Sequence, residues 1–327
     1  MWIGLLRRGT FLAGVMATMI ASAAAGASTG FSEAEASAVP VTPVGNFRYA
    51  YLPPRSPSLE PVYGRVAELD LLRRLPEVHW LDGLLALPAP VTFIAAECGE
   101  ADAFYDPRRA HVVLCYEMLL VLYEQGTARA EVLGTTGPDA IEAAEDYVWA
   151  NLRFIASHES GHALIDLLDL PVTGRQEDAV DQFATSLMQF IGEDGESRRQ
   201  ADDNLRLAAH WFLAGAGEQV AGVDGFSLDA YADTHSLGLQ RYFNLQCLLY
   251  GSDPERFASM VEDGDLPLSR ARYCPEEARR AQEAWVRLLL PHFSPAWPER
   301  RAEVEEWLRR RAAERSARRA WQRLTVD

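Results

Sequence analysis

Hydrophobic residues recur at helical spacing along most of the chain, and one shorter segment has the pattern of β-strands. Branched and aromatic runs predict strands at Val91–Ala96 and His111–Cys115, with a third at Ala103–Tyr105 between them. Helices are predicted over Tyr116–Glu131 and from Asp139, as its N-cap, through to about Asp169. A small sheet followed by long helices predicts an α+β fold dominated by helices.

Weaker patterns complete the outline on both sides of this centre. Near the N-terminus, Phe47 and Tyr49–Leu52 are compatible with an edge strand, and Glu68–Leu87 has helical spacing that Pro76 interrupts. Later helices are predicted over Arg175–Ile191, Ser197–Ala214, Leu239–Tyr250 and Pro275–Leu290.

Composition divides the chain into four segments. Residues 1–27 have the pattern of a signal peptide, with Arg7-Arg8 before an apolar run and small residues at the cleavage site. Residues 28–60 form a leader rich in Pro, Ser and Ala, 61–293 the folded domain, and 294–327 a charged, Arg-rich helical tail. The alternative for the first segment is a membrane anchor, but the apolar run is short. We therefore expect an exported protein, periplasmic or secreted, without a stable membrane span after cleavage.

Charge limits the partners of the protein. The formal net charge is −16, and every basic side chain other than histidine is Arg because the 327 residues include no Lys. This balance argues against a nucleic acid or an anionic membrane as partner. The four cysteines, Cys98, Cys115, Cys247 and Cys274, suggest two disulfides in an oxidising compartment. Three connectivities are open, of which the local pairing is the simplest; four buried thiols are the alternative.

The most specific pattern is His158-Glu159-Ser160-Gly161-His162, a His-Glu-x-x-His motif inside a strongly apolar helix. Residues four apart lie on one face of a helix, so the two imidazoles can bind one metal ion. Glu159 is close enough to hold a water molecule without binding the ion itself. A surface helix that carries two histidines by chance is the alternative. The apolar neighbours argue against it, because two His and a Glu in a buried helix are costly unless something satisfies them.

A catalytic zinc ion needs a third protein ligand and one open position. After the break at Leu170–Gly174, the next helix begins with Glu177 and Asp181 on one face. We interpret Glu177 as the third ligand and Asp181 as the carboxylate that orients a ligand imidazole. The competing ligand is Asp178, and the sequence leaves both open. An acidic pair that complements the helix dipole is the structural alternative.

A Glu-x-x-x-Asp on the helix after His-Glu-x-x-His resembles the gluzincin group of zinc metallopeptidases. More closely, Phe154–Ala184 resembles a bacterial family of exported metallopeptidases classified as a domain of unknown function. The similarity extends to Glu97-Cys98-Gly99, to Leu114–Glu117 and to His235–Gly251, and covers roughly residues 45 to 293. The resemblance implies a zincin-like domain, a Zn²⁺ ion and a peptide or protein substrate.

The resemblance also implies a residue that stabilises the oxyanion, because gluzincins commonly supply a His or Tyr for that role. His235 is the candidate, with Arg241 and Tyr242 behind it; a helix-capping histidine is the alternative. The sequence thus predicts a zinc metallopeptidase in which Glu159 activates water. Two alternatives stay open: a non-catalytic zinc-containing binding protein and a zinc hydrolase that acts on a non-peptide amide.

Overall fold

The structure is a computed structural model that describes residues 42–44, 46–194, 198–215 and 228–324. The predicted signal peptide, residues 1–27, and the first part of the predicted leader lie outside the described residues. The described residues form an α+β fold that is dominated by helices, as the sequence predicts, with one small sheet in the N-terminal third.

Five strands form the sheet, in the order β1-β2-β3-β5-β4. In chain order they are β1 Thr42–Val44, β2 Phe47–Tyr51, β3 Val91–Ala96, β4 Ala103–Asp106 and β5 His111–Cys115. The strands β2, β3 and β5 are parallel, and the two outer strands run antiparallel to their neighbours. All three strands predicted between residues 91 and 115 are confirmed.

The second strand, β2, belongs to the interior of the fold. It pairs with β1 on one side and β3 on the other, so it is not the edge strand that the sequence suggested. Phe47 and Tyr49 are 2% and 3% exposed and pack on the ring of Phe93 in β3. Residues within the predicted 28–60 leader therefore contribute to the hydrophobic core.

Twelve α-helices lie within the described residues. They are α1 Glu60–Glu68, α2 Pro76–Leu81, α3 Tyr116–Val132, α4 Pro138–Leu167, α5 Gln176–Asp194, α6 Arg198–Gly215, α7 Leu228–Ala232, α8 Gly238–Ser252, α9 Ser259–Glu262, α10 Leu268–Ala271, α11 Cys274–Leu289 and α12 Pro298–Leu324. Short 3₁₀ turns lie at Pro57–Leu59, Leu72–Arg74 and Leu290–His292.

Of the helical spacing over Glu68–Leu87 that Pro76 interrupts, only the short helix α2 and a 3₁₀ turn form. The chain leaves α1 through Asp70, whose φ is 49°, and makes a 3₁₀ turn before α2 begins at Pro76. The residue before a proline is disfavoured in the helical region, and Leu75 is accordingly extended, with ψ at 118°. Proline is well suited to the first position of a helix, so Pro76 begins α2 rather than interrupting a longer helix.

The central helix α4 carries the His-Glu-x-x-His motif and packs against α3, α5, α6 and the sheet. It begins at Pro138 rather than at the predicted cap Asp139; Gly137 takes the cap position with φ at 65°. All residues from Leu152 to Leu164 are buried, the polar ones included, except His162, which is partly exposed. The predicted burial of the motif helix is confirmed.

A fully buried ion pair holds α4 to α2. The Arg153 guanidinium donates to both carboxylate oxygens of Glu77, at 2.6 to 3.1 Å, and both side chains are 0% exposed. A buried pair of charges has to be satisfied within the protein. The position of the motif helix relative to α2 is therefore fixed by an interaction with strict geometry.

Two disulfides join Cys98 to Cys115 and Cys247 to Cys274, which is the local pairing. The first joins the segment after β3 to the end of β5, and the second ties α8 to the first residue of α11. None of the described helices is long and apolar enough to cross a membrane.

The charged tail predicted over 294–327 is mainly the helix α12, whose inner face contacts the domain. The Trp307 ring lies edge-on to Phe190 of α5, with 6.4 Å between the ring centroids. Val304 packs against the main hydrophobic core, and Arg315 forms an ion pair with Glu283 of α11.

Candidate active site

The two motif histidines lie one turn apart on α4 and face α5. Their Nε2 atoms are 3.3 Å apart, and the rings meet edge-on. His158 is 5% exposed, and His162 is partly exposed.

A glycine lets α5 approach the motif. A Cβ atom added to Gly161 would lie 2.8 Å from Val180 Cγ1 and 3.1 Å from Phe183 Cδ1. Carbon atoms in contact prefer separations of about 3.5–4.0 Å, so a side chain at position 161 would push the two helices apart.

Glu177 lies in the first turn of α5 and completes a cluster with the two histidines. Its Oε2 atom is 3.1 Å from His158 Nε2 and 3.2 Å from His162 Nε2. Around a tetrahedral ion with ligands at about 2.0–2.1 Å, neighbouring ligand atoms are separated by about 3.3–3.4 Å. The three atoms therefore have nearly the spacing that a single zinc ion requires.

The hydrogen-bonding groups of this cluster also fit a cation. His158 Nδ1 is 2.8 Å from Asp181 Oδ1, so both nitrogens of this ring face carboxylates. Without a cation, both ring nitrogens of His158 must carry protons to donate to these carboxylates. A proton on His162 Nε2 would then be repelled by the proton on His158 Nε2. Burial lowers the pKa of His158, but hydrogen bonds to Asp181 and Glu177 outweigh it and raise the pKa to about 9. The site thus attracts positive charge to the point where the three ligand atoms meet.

The carboxylate of Glu177 is kept ionised by its neighbours. Burial raises its pKa, whereas hydrogen bonds from His158, His162 and His235 lower it by more, so that the net shift is strongly downward. An anionic oxygen at this point is a suitable metal ligand.

Asp181 links His158 of the motif to α8. It is 4% exposed, and its carboxylate accepts from His158 Nδ1 and from Arg241, whose Nε and Nη2 donate at 2.8 and 2.7 Å. Burial raises the pKa of Asp181, but the Arg241 charge and the hydrogen bonds outweigh it and lower the pKa to about 2. The guanidinium of Arg241 lies 4.0 Å from the centre of the Phe212 ring. Phe212 thus holds the Arg241 guanidinium in place, and the two hydrogen bonds from Arg241 fix the orientation of the Asp181 carboxylate.

Glu159 lies next to the cluster and is not hydrogen-bonded to it in the described residues. It is 7% exposed, and burial raises its pKa to about 7, although the neighbouring His158 and His162 lower it in part. A carboxyl group with a pKa near neutrality can both take up and release a proton at physiological pH.

His235, in the segment between α7 and α8, lies beside the same cluster, and its ring is stacked with that of His158 at 6.4 Å between the ring centroids. Its Nε2 is 3.1 Å from the same Glu177 Oε2, and its Nδ1 is 3.0 Å from Asp233 Oδ1. The side chain is 44% exposed. The hydrogen bond to Glu177 is the main cause that raises the pKa of His235, although burial lowers it in part. A histidine chosen from the sequence for oxyanion stabilisation thus contacts the predicted third ligand.

The structure also places two side chains that the sequence left open or overlooked. Asp178, the competing ligand, accepts a hydrogen bond from Ser236 Oγ at 2.7 Å, and the described contacts of its carboxylate include neither motif histidine. Arg241 was expected behind His235, but its partner is Asp181. Ser236 and Arg241 lie about sixty residues after their partners Asp178 and Asp181, so no local pattern predicts either contact. The only signal in the sequence is the acidic start of α5.

The comparisons with known proteins agree with this geometry. The profile of the family DUF4344, described as "Putative metallopeptidase", matches residues 51–289, which is well over half of the 327-residue chain. No curated protein and no solved structure gives a significant match. The matched stretch contains every residue of the cluster described above. The chain therefore belongs to the DUF4344 metallopeptidase family.

Proposed function

We propose that the protein is an exported zinc metallopeptidase, in which His158, His162 and Glu177 hold the ion. The observation that carries the proposal is the mutual spacing of 3.1 to 3.3 Å between the three ligand atoms. Two imidazoles and one carboxylate are a donor set typical of catalytic zinc, whereas Mg²⁺ and Ca²⁺ prefer oxygen ligands only. Membership of the family supports a peptide or protein substrate, and the two disulfides support export to an oxidising compartment.

Zinc, when bound, would polarise the scissile carbonyl group and make a water molecule more acidic. Glu159 is proposed to take a proton from the attacking water and to deliver it to the leaving amine. Its burial beside the two histidines supports this role, since a carboxylate in water is too weak a base for the first step. Asp181 orients the His158 ring, so that Nε2 faces Glu177.

His235 is proposed to donate a hydrogen bond from Nε2 to the oxyanion of the tetrahedral intermediate. Its partial exposure supports this role, because a substrate has to reach it. Asp233 accepts from Nδ1 and limits rotation of the ring.

The proposal is tested by zinc content and peptide turnover in three forms of the protein. We expect about one zinc per chain in the wild type and in Glu159→Gln, and none in His162→Ala. Glu159→Gln should lose turnover while it keeps the metal. Wild type without zinc under metal-replete conditions, or a fully active Glu159→Gln variant, would refute the proposal.

One contact favours a second candidate, a non-catalytic zinc protein. His235 Nε2 lies as close to Glu177 Oε2 as the motif histidines do, so it is placed to serve as a fourth protein ligand. A site with four protein ligands is typical of structural zinc. The variant His235→Ala separates the two functions. If His235 is an oxyanion donor, the variant loses turnover and keeps its zinc affinity. If His235 is a fourth ligand, the zinc affinity falls strongly.

A further inference from the structure

The segment that carries His235 is attached to the first turn of α5 by side chains that bind no metal in the proposed mechanism. Ser236, which is 9% exposed, donates from Oγ to Asp178 Oδ1 at 2.7 Å. Arg175, just before α5, donates from Nη1 to the carbonyl oxygen of His235 at 3.1 Å and more weakly to that of Asp233 at 3.4 Å. These contacts leave the His235 ring directed at Glu177.

Adjacent residues of one helical turn therefore serve two different purposes. Glu177 faces the motif histidines, while the next residue, Asp178, holds the residue after His235. Residues one apart on a helix point about 100° away from each other, so a single turn can reach both partners. The first turn of α5 therefore fixes the positions of both Glu177 and His235.

We infer that Asp178, with Ser236 and Arg175, is an anchor that positions His235 for oxyanion stabilisation. This inference rests on the proposed function, since it assigns His235 the role given above. Asp178 is a positioning residue, because its carboxylate acts through the 233–237 segment, where it accepts from Ser236. The side chain at 178 has to accept a hydrogen bond, and its charge is secondary.

The anchor has a physical readout that does not depend on catalysis. The backbone amide of His235 donates to Asp233 Oδ1 at 2.7 Å, and that of Leu237 donates to Gln240 Oε1 at 3.1 Å. Hydrogen exchange at these amides reports how often the segment opens. Loss of the hydrogen bond from Ser236 to Asp178 should raise the exchange rate at these amides by about twofold to tenfold.

The experiment compares Asp178→Ala, Asp178→Asn and Ser236→Ala with a matched control, Ser316→Ala. Ser316 lies on the exposed part of α12 and donates to the Ala312 carbonyl, so its loss leaves the site untouched. In Asp178→Ala and Ser236→Ala, we expect the amide hydrogens of residues 233–237 to exchange faster with solvent. We also expect kcat to fall by about tenfold to hundredfold. Their KM should stay within about threefold of the wild type, because substrate binding in the ground state is retained. Their zinc content should be that of the wild type.

Asp178→Asn is the conservative variant, because its amide oxygen can still accept from Ser236. It should keep slow exchange and a kcat within about threefold of the wild type. Unchanged exchange in Asp178→Ala would overturn the anchor, and fast exchange with normal kcat would overturn its positioning role. Equal losses in the Asn and Ala variants would assign the effect to charge and also overturn the inference. If wild type cleaves no peptide, the peptidase proposal fails, and the exchange rates alone then decide the anchor.

Discussion

The close approach of α4 and α5 at Gly161 gives a prediction that connects packing to the metal site. In Gly161→Ala, the new methyl group would lie 2.8 Å from Val180 Cγ1 and 3.0 Å from Val180 Cβ. Since contact is optimal at about 3.5–4.0 Å, the overlap is about 1 Å. Val180 is fully buried, so it has no solvent space into which it can move. The two helices have to separate instead.

Two opposing terms set the change in stability. Overpacking of a core costs about 1–3 kcal/mol, whereas Ala is preferred to Gly inside a helix by about 1 kcal/mol. The free energy of unfolding of the metal-free protein should therefore fall by only about 0–2 kcal/mol. The metal site should change more, because Glu177 lies one turn before Val180 on α5. If α4 and α5 separate by about 1 Å, the ligand atoms lose the spacing that one zinc ion requires. We expect zinc affinity to fall by about tenfold to hundredfold.

The assay is zinc affinity by competition with a chelator, together with urea unfolding of the metal-free protein. Val180→Ala added to Gly161→Ala makes room for the methyl group and should recover most of the zinc affinity. Gly64→Ala is the matched control, because a Cβ atom there has no neighbour within 4 Å. It should stabilise the protein by about 0.5–1 kcal/mol and leave zinc affinity unchanged. Normal zinc affinity in Gly161→Ala would refute the reasoning.

Three further predictions test other parts of the structure. Arg241→Ala leaves the Asp181 carboxylate buried without its main cation, and we expect a loss of about tenfold to hundredfold in zinc affinity, measured by chelator competition; normal affinity would show that the pair is dispensable. Glu77→Gln leaves the Arg153 charge buried without an anion and should lower the free energy of unfolding by about 3–5 kcal/mol, measured by urea denaturation. A loss below about 1 kcal/mol would contradict this account of the pair. Removal of zinc with a chelator should lower Tm, because the three proposed ligands are brought together only in the folded state, and restored zinc should reverse the shift.

Local patterns in the sequence predicted the parts of the fold that depend on neighbouring residues. The strands at residues 91–115 and the long helices from Tyr116 onward follow from apolar spacing, since nearby side chains decide which face is buried. The short helices α7, α9 and α10 were not predicted. The spacing of His158 and His162 is likewise a property of one helix. The structure places Glu177 within 3.2 Å of both histidines, which the short loop between the two helices favours; its role as the third ligand stays a prediction.

Interactions between distant parts of the chain were not predictable in the same way. The partner of Arg153 is Glu77, which lies 76 residues away in a short helix whose bounds the apolar spacing does not define. The contact between Arg241 and Asp181 spans 60 residues and depends on how α8 packs beside α5. The central position of β2 was hidden for a related reason: its partner β3 begins forty residues further on, and nothing local specifies a parallel pairing.

The arrangement of the two disulfides has a consequence for oxidative folding. Each cysteine pairs with its nearest cysteine along the chain, over 17 and 27 residues, and the two loops do not overlap. In a chain that enters an oxidising compartment from its N-terminus, the first pair can therefore join before either cysteine of the second pair emerges. An oxidase that joins cysteines in the order in which they enter the compartment therefore forms the native disulfides directly. No isomerase is then required to rearrange them.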